Sequence, residues 1–285
     1  MTAIVVHTAS GAREIILRVA TALVLAPLGL WTVLQGGWLL AGLTALFGGV
    51  AAFEWVRMST DKLQAHVRAL LYAIIVVGAS AAALAGTHSL EAVALASGVT
   101  AAAAALASVG FDRRLAGNQF AGAIYVTAPF GAFVWMRNDT PEGALLAVSL
   151  LVLVWATDIA AYFAGRGFGG PLLAPLDSPN KTWTGAIGAV VCACLAGASV
   201  ARFSGGDLTG WLAASAVVSI VAQFGDLLES RIKRHYGVKD ASGVVPGHGG
   251  VLDRLDALMA ASLFAALAIR LFPALVSGLT TGAST

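Results

Sequence analysis

Nine long apolar runs constrain this sequence more than any other feature. They cover, with approximate ends, residues 17–35, 38–56, 68–87, 90–110, 119–136, 143–164, 184–203, 209–229 and 254–272. An apolar helix of about 20 residues crosses a bilayer core of about 30 Å. Only 11% of the 285 residues are charged, whereas a soluble domain carries about 25%. The sequence therefore predicts an all-α integral membrane protein with nine transmembrane helices.

The Lys and Arg residues predict the orientation of these helices. If the N-terminus is cytoplasmic, fourteen of the 17 basic residues fall in cytoplasmic segments, and only Arg137, Arg202 and Arg270 fall outside. Basic residues concentrate on the cytoplasmic side of membranes. This distribution favours an N-in, C-out topology in which loops 6–7 and 8–9 are cytoplasmic. The basic residues are scattered and form no stripe that would bind nucleic acid.

Three carboxylates lie within the predicted spans, where an ionisable group costs about 2.5–3.5 kcal/mol. They are Glu54, Asp158 and Asp226, all in the cytoplasmic parts of their helices, where they could converge. Glu54, close to the loop and beside Trp55 and Arg57, is interpreted as an interfacial side chain. For Asp158, a structural pairing with a neighbouring helix and a direct site role remain open. Asp226 is the strongest site candidate because a polar motif begins on its own helix.

The segment from Asp226 to Asp256 concentrates carboxylates, cations and glycines. Asp226 and Glu229 share a helix face, as do Asp253 and Asp256, because each pair is three residues apart. Between the pairs lie Arg231, Lys233, Arg234 and Lys239, followed by Gly243, Gly247, Gly249 and Gly250. Carboxylates suit Mg²⁺, Lys and Arg neutralise phosphoryl charge, and glycine N–H groups approach anions closely. The pattern predicts a metal–nucleotide site, because a loop that only anchors topology needs no carboxylates.

An extended motif with fixed spacing occupies this segment. It reads Ser230-x-Ile232-Lys233-Arg234, four residues, Lys239-Asp240, five residues, Pro246-x-His248-Gly249-Gly250-Val251-x-Asp253-Arg254-Leu255-Asp256. The motif resembles the signature of the phosphatidate cytidylyltransferases, also called CDP-diacylglycerol synthases. The segments Trp155–Arg166 and Ser178–Trp183 are also similar to the family, although Thr184 stands where members usually have Glu. The resemblance is strong over residues 155–256 and only architectural before them.

The resemblance implies an activity and an organisation. Residues 141–285 are expected to form the catalytic part, preceded by architectural helices in residues 1–140. The expected reaction joins CTP to phosphatidic acid, giving CDP-diacylglycerol and pyrophosphate, in a bacterial-type inner membrane with the active site facing the cytoplasm. Mg²⁺ is the expected cofactor, alone or with a second, monovalent cation, and a homodimer is the expected assembly. CTP-dependent polyprenol or phytol kinases and secondary transporters are the competing classes.

Site residues are carried over position by position from the resemblance. The expected catalytic residues are Asp226, Lys239, His248, Asp253, Arg254 and Asp256, and the expected metal ligands among them are Asp226, Asp253 and Asp256. The expected substrate-binding residues are Arg166, Ser178, Lys181, Ser230, Lys233, Arg234, Asp240, Gly249 and Gly250. The role of His248 stays open between general base and hydrogen-bond donor. A lipid phosphate oxygen is expected to attack the α-phosphorus of CTP directly.

Overall fold

The computed structural model of the chain describes residues 26–61, 63–140, 142–244 and 249–280. The first helix, α1, is described over residues 26–35. The helices that follow are α2 Gly37–Ser59, α3 Ala65–Ala85, α4 Leu90–Val109, α5 Arg113–Asp139, α6 Gly143–Phe168, α7 Trp183–Ser204, α8 Leu208–His235, α9 Leu252–Leu271 and α10 Pro273–Thr280. Within these described ranges, seven helices, α2 to α8, are long and apolar enough to cross a membrane. The prediction of a helical membrane protein is confirmed, while the start of the first predicted span lies outside the described residues.

A short β-hairpin between α6 and α7 was not predicted from the sequence. Its strands, β1 Leu172–Ala174 and β2 Ser178–Thr182, pair antiparallel. The chain leaves α6 through Gly169 and Gly170, whose φ angles of 61° and 111° are readily accessible only to glycine. The hairpin places β2 against the ends of α6 and α8, so Lys181 approaches the acidic residues of the helices.

The helices before and after residue 140 share buried clusters. Trp55, Leu71 and Val126 pack with Leu252 and Met259 in one of them. In another, which spans a different part of the bundle, Leu40 and Phe133 pack with Leu153 and Ala257. The proposed division into architectural and catalytic parts is therefore not a division between separate cores, and α9 packs against helices from both parts.

Candidate active site

Three carboxylates from different helices form what we call the acidic cluster: Asp158 of α6, Asp226 of α8 and Asp256 of α9. Their charges act on one another, and the ammonium of Lys181 acts on Asp158 and Asp256. Lys181 forms an ion pair with Asp226. Asp256 is only 8% exposed and accepts a hydrogen bond of 2.8 Å from the N–H of Ala257. Asp158 and Asp226 thus converge, as their positions in the predicted spans allowed.

Lys233 bridges two carboxylates next to the acidic cluster. Its Nζ lies 2.5 Å from Glu229 Oε2 and 2.7 Å from Asp253 Oδ1. Asp253 Oδ2 also accepts hydrogen bonds from the N–H groups of Gly250, at 2.8 Å, and Ala241, at 3.1 Å. The carboxylate of Asp253 therefore orders the loop between α8 and α9. The three predicted metal ligands are divided: two belong to the acidic cluster and Asp253 belongs to this ion-pair group.

Glu54 of α2 reaches the first turn of α9. Its carboxylate accepts hydrogen bonds from the N–H of Val251 at 2.9 Å, the N–H of Leu252 at 2.7 Å and the Oγ–H of Ser242 at 2.5 Å. The residue has no exposed surface. The interpretation of Glu54 as an interfacial side chain is wrong, because the N-terminus of α9 covers the carboxylate and supplies the donors that burial requires.

Neighbouring side chains hold this end of α2 in place. Trp55 Nε1 donates to Gln119 Oε1 at 3.2 Å, and Gln119 Nε2 donates to Ser59 Oγ at 2.8 Å. The rings of Tyr236 and Trp55 are nearly perpendicular, with centroids 5.9 Å apart. Desolvation by burial raises the pKa of the Tyr236 phenol, so it stays neutral. The backbone of Gly122 lies against the indole, where a Cβ would overlap it.

The loop between α6 and α7 carries further predicted site residues. Arg166 is exposed and donates from Nη1 to the hydroxyl of Tyr162 at 3.0 Å. Ser178 begins β2 and is half-buried. Thr184 donates from its hydroxyl to the carbonyl of Gly169. Its hydroxyl therefore ties the glycine turn after α6 to the start of α7, which is a role for a short neutral side chain.

The other predicted residues lie along the end of α8 and the loop that follows it. They are Ser230, Arg234, Lys239, Asp240 and Gly249. Ser230 is half-buried, whereas the charged side chains are exposed, and Arg234 Nη1 donates to Val238 O at 3.2 Å. Gly249 has a φ of 84°, which favours glycine. His248 lies outside the described residues.

A largely apolar cavity of about 340 Å³ adjoins the acidic cluster. It lies between α1, α2, α5, α6 and α9, with Leu30, Phe47 and Phe133 among its apolar walls. Asp158 and Arg254 also line it, and the Arg254 guanidinium acts electrostatically on Asp158. The volume is within the range of about 300–1,000 Å³ typical of ligand pockets. The cavity thus combines an apolar interior with charged groups, as an amphiphilic ligand requires.

Comparison with known proteins decides the family. A family model described as the cytidylyltransferase family matches residues 16–272. The chain belongs to the cytidylyltransferase family. It is 38% identical over 247 residues to a phosphatidate cytidylyltransferase of Brucella suis, covering 86% of this chain and 89% of the relative. Enzymes of the same name from Haemophilus influenzae and Staphylococcus haemolyticus are 44% and 42% identical over 133 and 137 residues. They match 45% and 47% of this chain and 46% and 52% of their own lengths. The family assignment made from the signature is confirmed.

The sequence indicated that Glu54 and Glu229 are noteworthy carboxylates, but their partners were not predicted from it. Glu229 lies four residues before Lys233, a spacing that indicates an ion pair on one helix face, and the signal was available. For Glu54, the only signal was a carboxylate near the end of an apolar run. That signal indicated the free-energy cost of burying a carboxylate, but it did not identify the hydrogen-bond partners, which lie at the distant start of α9.

Proposed function

We propose that this cytidylyltransferase family member transfers the cytidylyl group of CTP to phosphatidic acid, giving CDP-diacylglycerol and pyrophosphate. The observation that carries the proposal is the apolar cavity whose charged wall, with Asp158 and Arg254, adjoins the acidic cluster. Acyl chains fit the apolar part of the cavity, and Arg254 is suited to the lipid phosphate. The names of the Brucella, Haemophilus and Staphylococcus relatives support the same reaction.

In the proposed reaction, a phosphate oxygen of the lipid forms a bond to the α-phosphorus of CTP. The bond from that phosphorus to the bridging oxygen of the β-phosphate breaks, and pyrophosphate leaves with the electron pair. Because the lipid phosphate is already anionic near neutral pH, the step needs no strong general base. The protein must instead bring two anions together, and we assign that task to Arg234 at the end of α8, Lys239 in the loop that follows and Arg254 in the first turn of α9.

The donor set of the acidic cluster fits a divalent cation. Mg²⁺ takes one or two protein carboxylates and completes its shell with phosphate oxygens and water. Among the described residues, no three His, Cys, Asp or Glu side chains are grouped closely enough to form a complete ligand set. We assign this mode of binding to Asp226 and Asp256, and Asp253 remains the third proposed ligand. A bound Mg²⁺ would neutralise charge on the phosphates, and a second, monovalent cation is compatible with the remaining carboxylate.

The membrane arrangement is part of the same proposal. Nine crossings with the N-terminus in the cytoplasm place most of the basic residues, and with them the acidic cluster, on the cytoplasmic side of a bacterial inner membrane. CTP is supplied from that side, and phosphatidic acid reaches the cavity from the bilayer. Residues 141–285 carry the reacting groups in this proposal, and two chains form a homodimer.

Labelled CTP tests the proposed reaction. Purified protein with phosphatidic acid and Mg²⁺ is expected to move label from the α-phosphate of CTP into lipid, and to leave label from the γ-phosphate in pyrophosphate. Asp226→Asn is expected to reduce this transfer at least about 100-fold, because a neutral amide binds a cation poorly. Asp112→Asn, which retains an exposed helix cap at α5, is the matched control and is expected to keep full activity. Transfer of γ-label to lipid instead would identify a kinase and refute the proposal.

A further inference from the structure

The first turn of α9 is capped by a side chain from another helix. The first N–H groups of a helix have no partners within it, and the residue preceding α9, Val251, supplies no side-chain cap. Glu54 of α2 accepts from the N–H of Val251 and the N–H of Leu252 with separate carboxylate oxygens, at 2.9 and 2.7 Å. A carboxylate at this position is also favoured by the partial positive charge of the helix N-terminus.

The same carboxylate binds the loop that precedes α9. Ser242 donates to Glu54 Oε1 at 2.5 Å, and the backbone of Gly250 passes so close that a Cβ there would lie 2.6 Å from Oε1. A side chain at position 250 would therefore displace the carboxylate of Glu54 and crowd that of Asp253. Since no part of Glu54 is exposed, its oxygens act on α9 and the loop and do not reach a soluble substrate.

Fixing the start of α9 determines where its functional side chains lie. Arg254 and Asp256 are two and four residues beyond Leu252, so both lie within about one turn of the capped N–H groups. A shift or rotation of this turn would move Arg254 in the cavity wall and Asp256 in the acidic cluster together. Misplacement of reacting groups by about 1 Å can reduce turnover about 100-fold.

We propose that Glu54 is a positioning residue for nucleotidyl transfer: it holds the first turn of α9 in register with α6 and α8 so that Arg254 and Asp256 face the same substrate space. This role rests on the function proposed above. It gives helix α2, in the part of the chain expected to be architectural, a direct influence on turnover. The Trp55–Gln119 hydrogen bond joins this end of α2 to α5.

Glu54→Gln tests this role in the full-length protein. The amide retains one acceptor oxygen but turns a donor toward a backbone N–H, so the cap is lost in part. We expect the kcat for CDP-diacylglycerol formation, per folded protein, to fall about 10- to 100-fold, with the KM for CTP within about twofold of the original value. Hydrogen exchange at the N–H groups of Val251 and Leu252 is expected to accelerate about tenfold or more.

Glu91→Gln provides the matched control. Glu91 also joins another helix to α9, through Arg270 at 3.1 Å, but at the opposite end of α9 and with both side chains largely exposed. We expect this variant to keep its kcat and the exchange rates of Val251 and Leu252.

The outcomes separate the two proposals. A Glu54→Gln protein that keeps its kcat within about twofold, or that loses activity only in proportion to its unfolded fraction, would overturn the positioning role. So would unchanged exchange at Val251 and Leu252. If the unmodified protein makes no CDP-diacylglycerol, the proposed function fails, and the exchange measurement still decides whether Glu54 holds the first turn of α9.

Discussion

Replacement of Lys233 by Met would remove the ammonium that pairs with the carboxylates of both Glu229 and Asp253. Its Nζ lies 2.5 and 2.7 Å from their oxygens. The side chains of Lys233, Glu229 and Asp253 are only 12%, 3% and 7% exposed, respectively, so water would replace the lost charge poorly. Methionine has a similar length and packs without a charge. The variant therefore leaves two nearby buried carboxylates without their cation.

The expected loss of stability follows from the burial of these side chains. Removing one partner of a buried ion pair costs about 3–5 kcal/mol, because the other charge remains in a medium that solvates it weakly. Asp253 keeps its hydrogen bonds from Gly250 and Ala241, so most of the cost falls on Glu229. We therefore expect the free energy of unfolding to decrease by about 3 kcal/mol, toward the lower end of that range.

The assay is equilibrium unfolding of the purified protein in mixed micelles, followed by circular dichroism. Arg270→Met is the control, because its partner Glu91 and Arg270 itself are 66% and 60% exposed and such pairs contribute about 0–1 kcal/mol. The double variant Lys233→Met with Glu229→Gln should recover about 1–2 kcal/mol relative to Lys233→Met, since it removes the stranded charge. Equal stabilities for Lys233→Met and Arg270→Met, or no recovery in the double variant, would refute the reasoning.

Two further predictions concern packing. Gly122→Ala places a Cβ on the Trp55 ring and is expected to lower the free energy of unfolding by about 1–3 kcal/mol in the same assay. Gly117→Ala, with open space on the same helix, should raise it by about 0.5–1 kcal/mol because alanine has the higher helix propensity. A Gly122→Ala protein more stable than Gly117→Ala would contradict the packing of Gly122 on Trp55. Ser262→Phe projects into the cavity of about 340 Å³ and should raise the KM for phosphatidic acid about threefold or more while the KM for CTP is unchanged. An unchanged KM for phosphatidic acid would exclude the cavity as the acyl-chain site.

Hydropathy predicted the positions of the helices more accurately than their ends. The predicted run 90–110 corresponds to α4, Leu90–Val109. The predicted run 209–229 ends well before α8, which continues to His235. Apolar character stops at Glu229, but the backbone hydrogen bonds of a helix continue through polar residues. The extension matters, because it carries Lys233 to the carboxylates of Glu229 and Asp253.

The hairpin between α6 and α7 shows a second limit of prediction from the sequence. A three-residue strand and a five-residue strand are too short to give a periodic pattern in the sequence. The hairpin forms where the glycine turn and the start of α7 bring the chain back on itself. Its effect is to place Lys181 against Asp226, an ion pair that no local pattern predicts.

The sequence by itself determined that the chain is a helical membrane protein of a cytidylyltransferase family. Both conclusions depend on residues close together in the chain: the hydropathy of each segment and the fixed spacing of the signature. Only the tertiary structure decided which partners surround the charged groups of Asp158, Asp226, Asp256, Lys233 and Glu54. Glu54 and Val251 are 197 positions apart, and nothing in either neighbourhood specifies the other. Burial of a carboxylate requires donors nearby, but which donors it meets depends on how helices α2 and α9 pack.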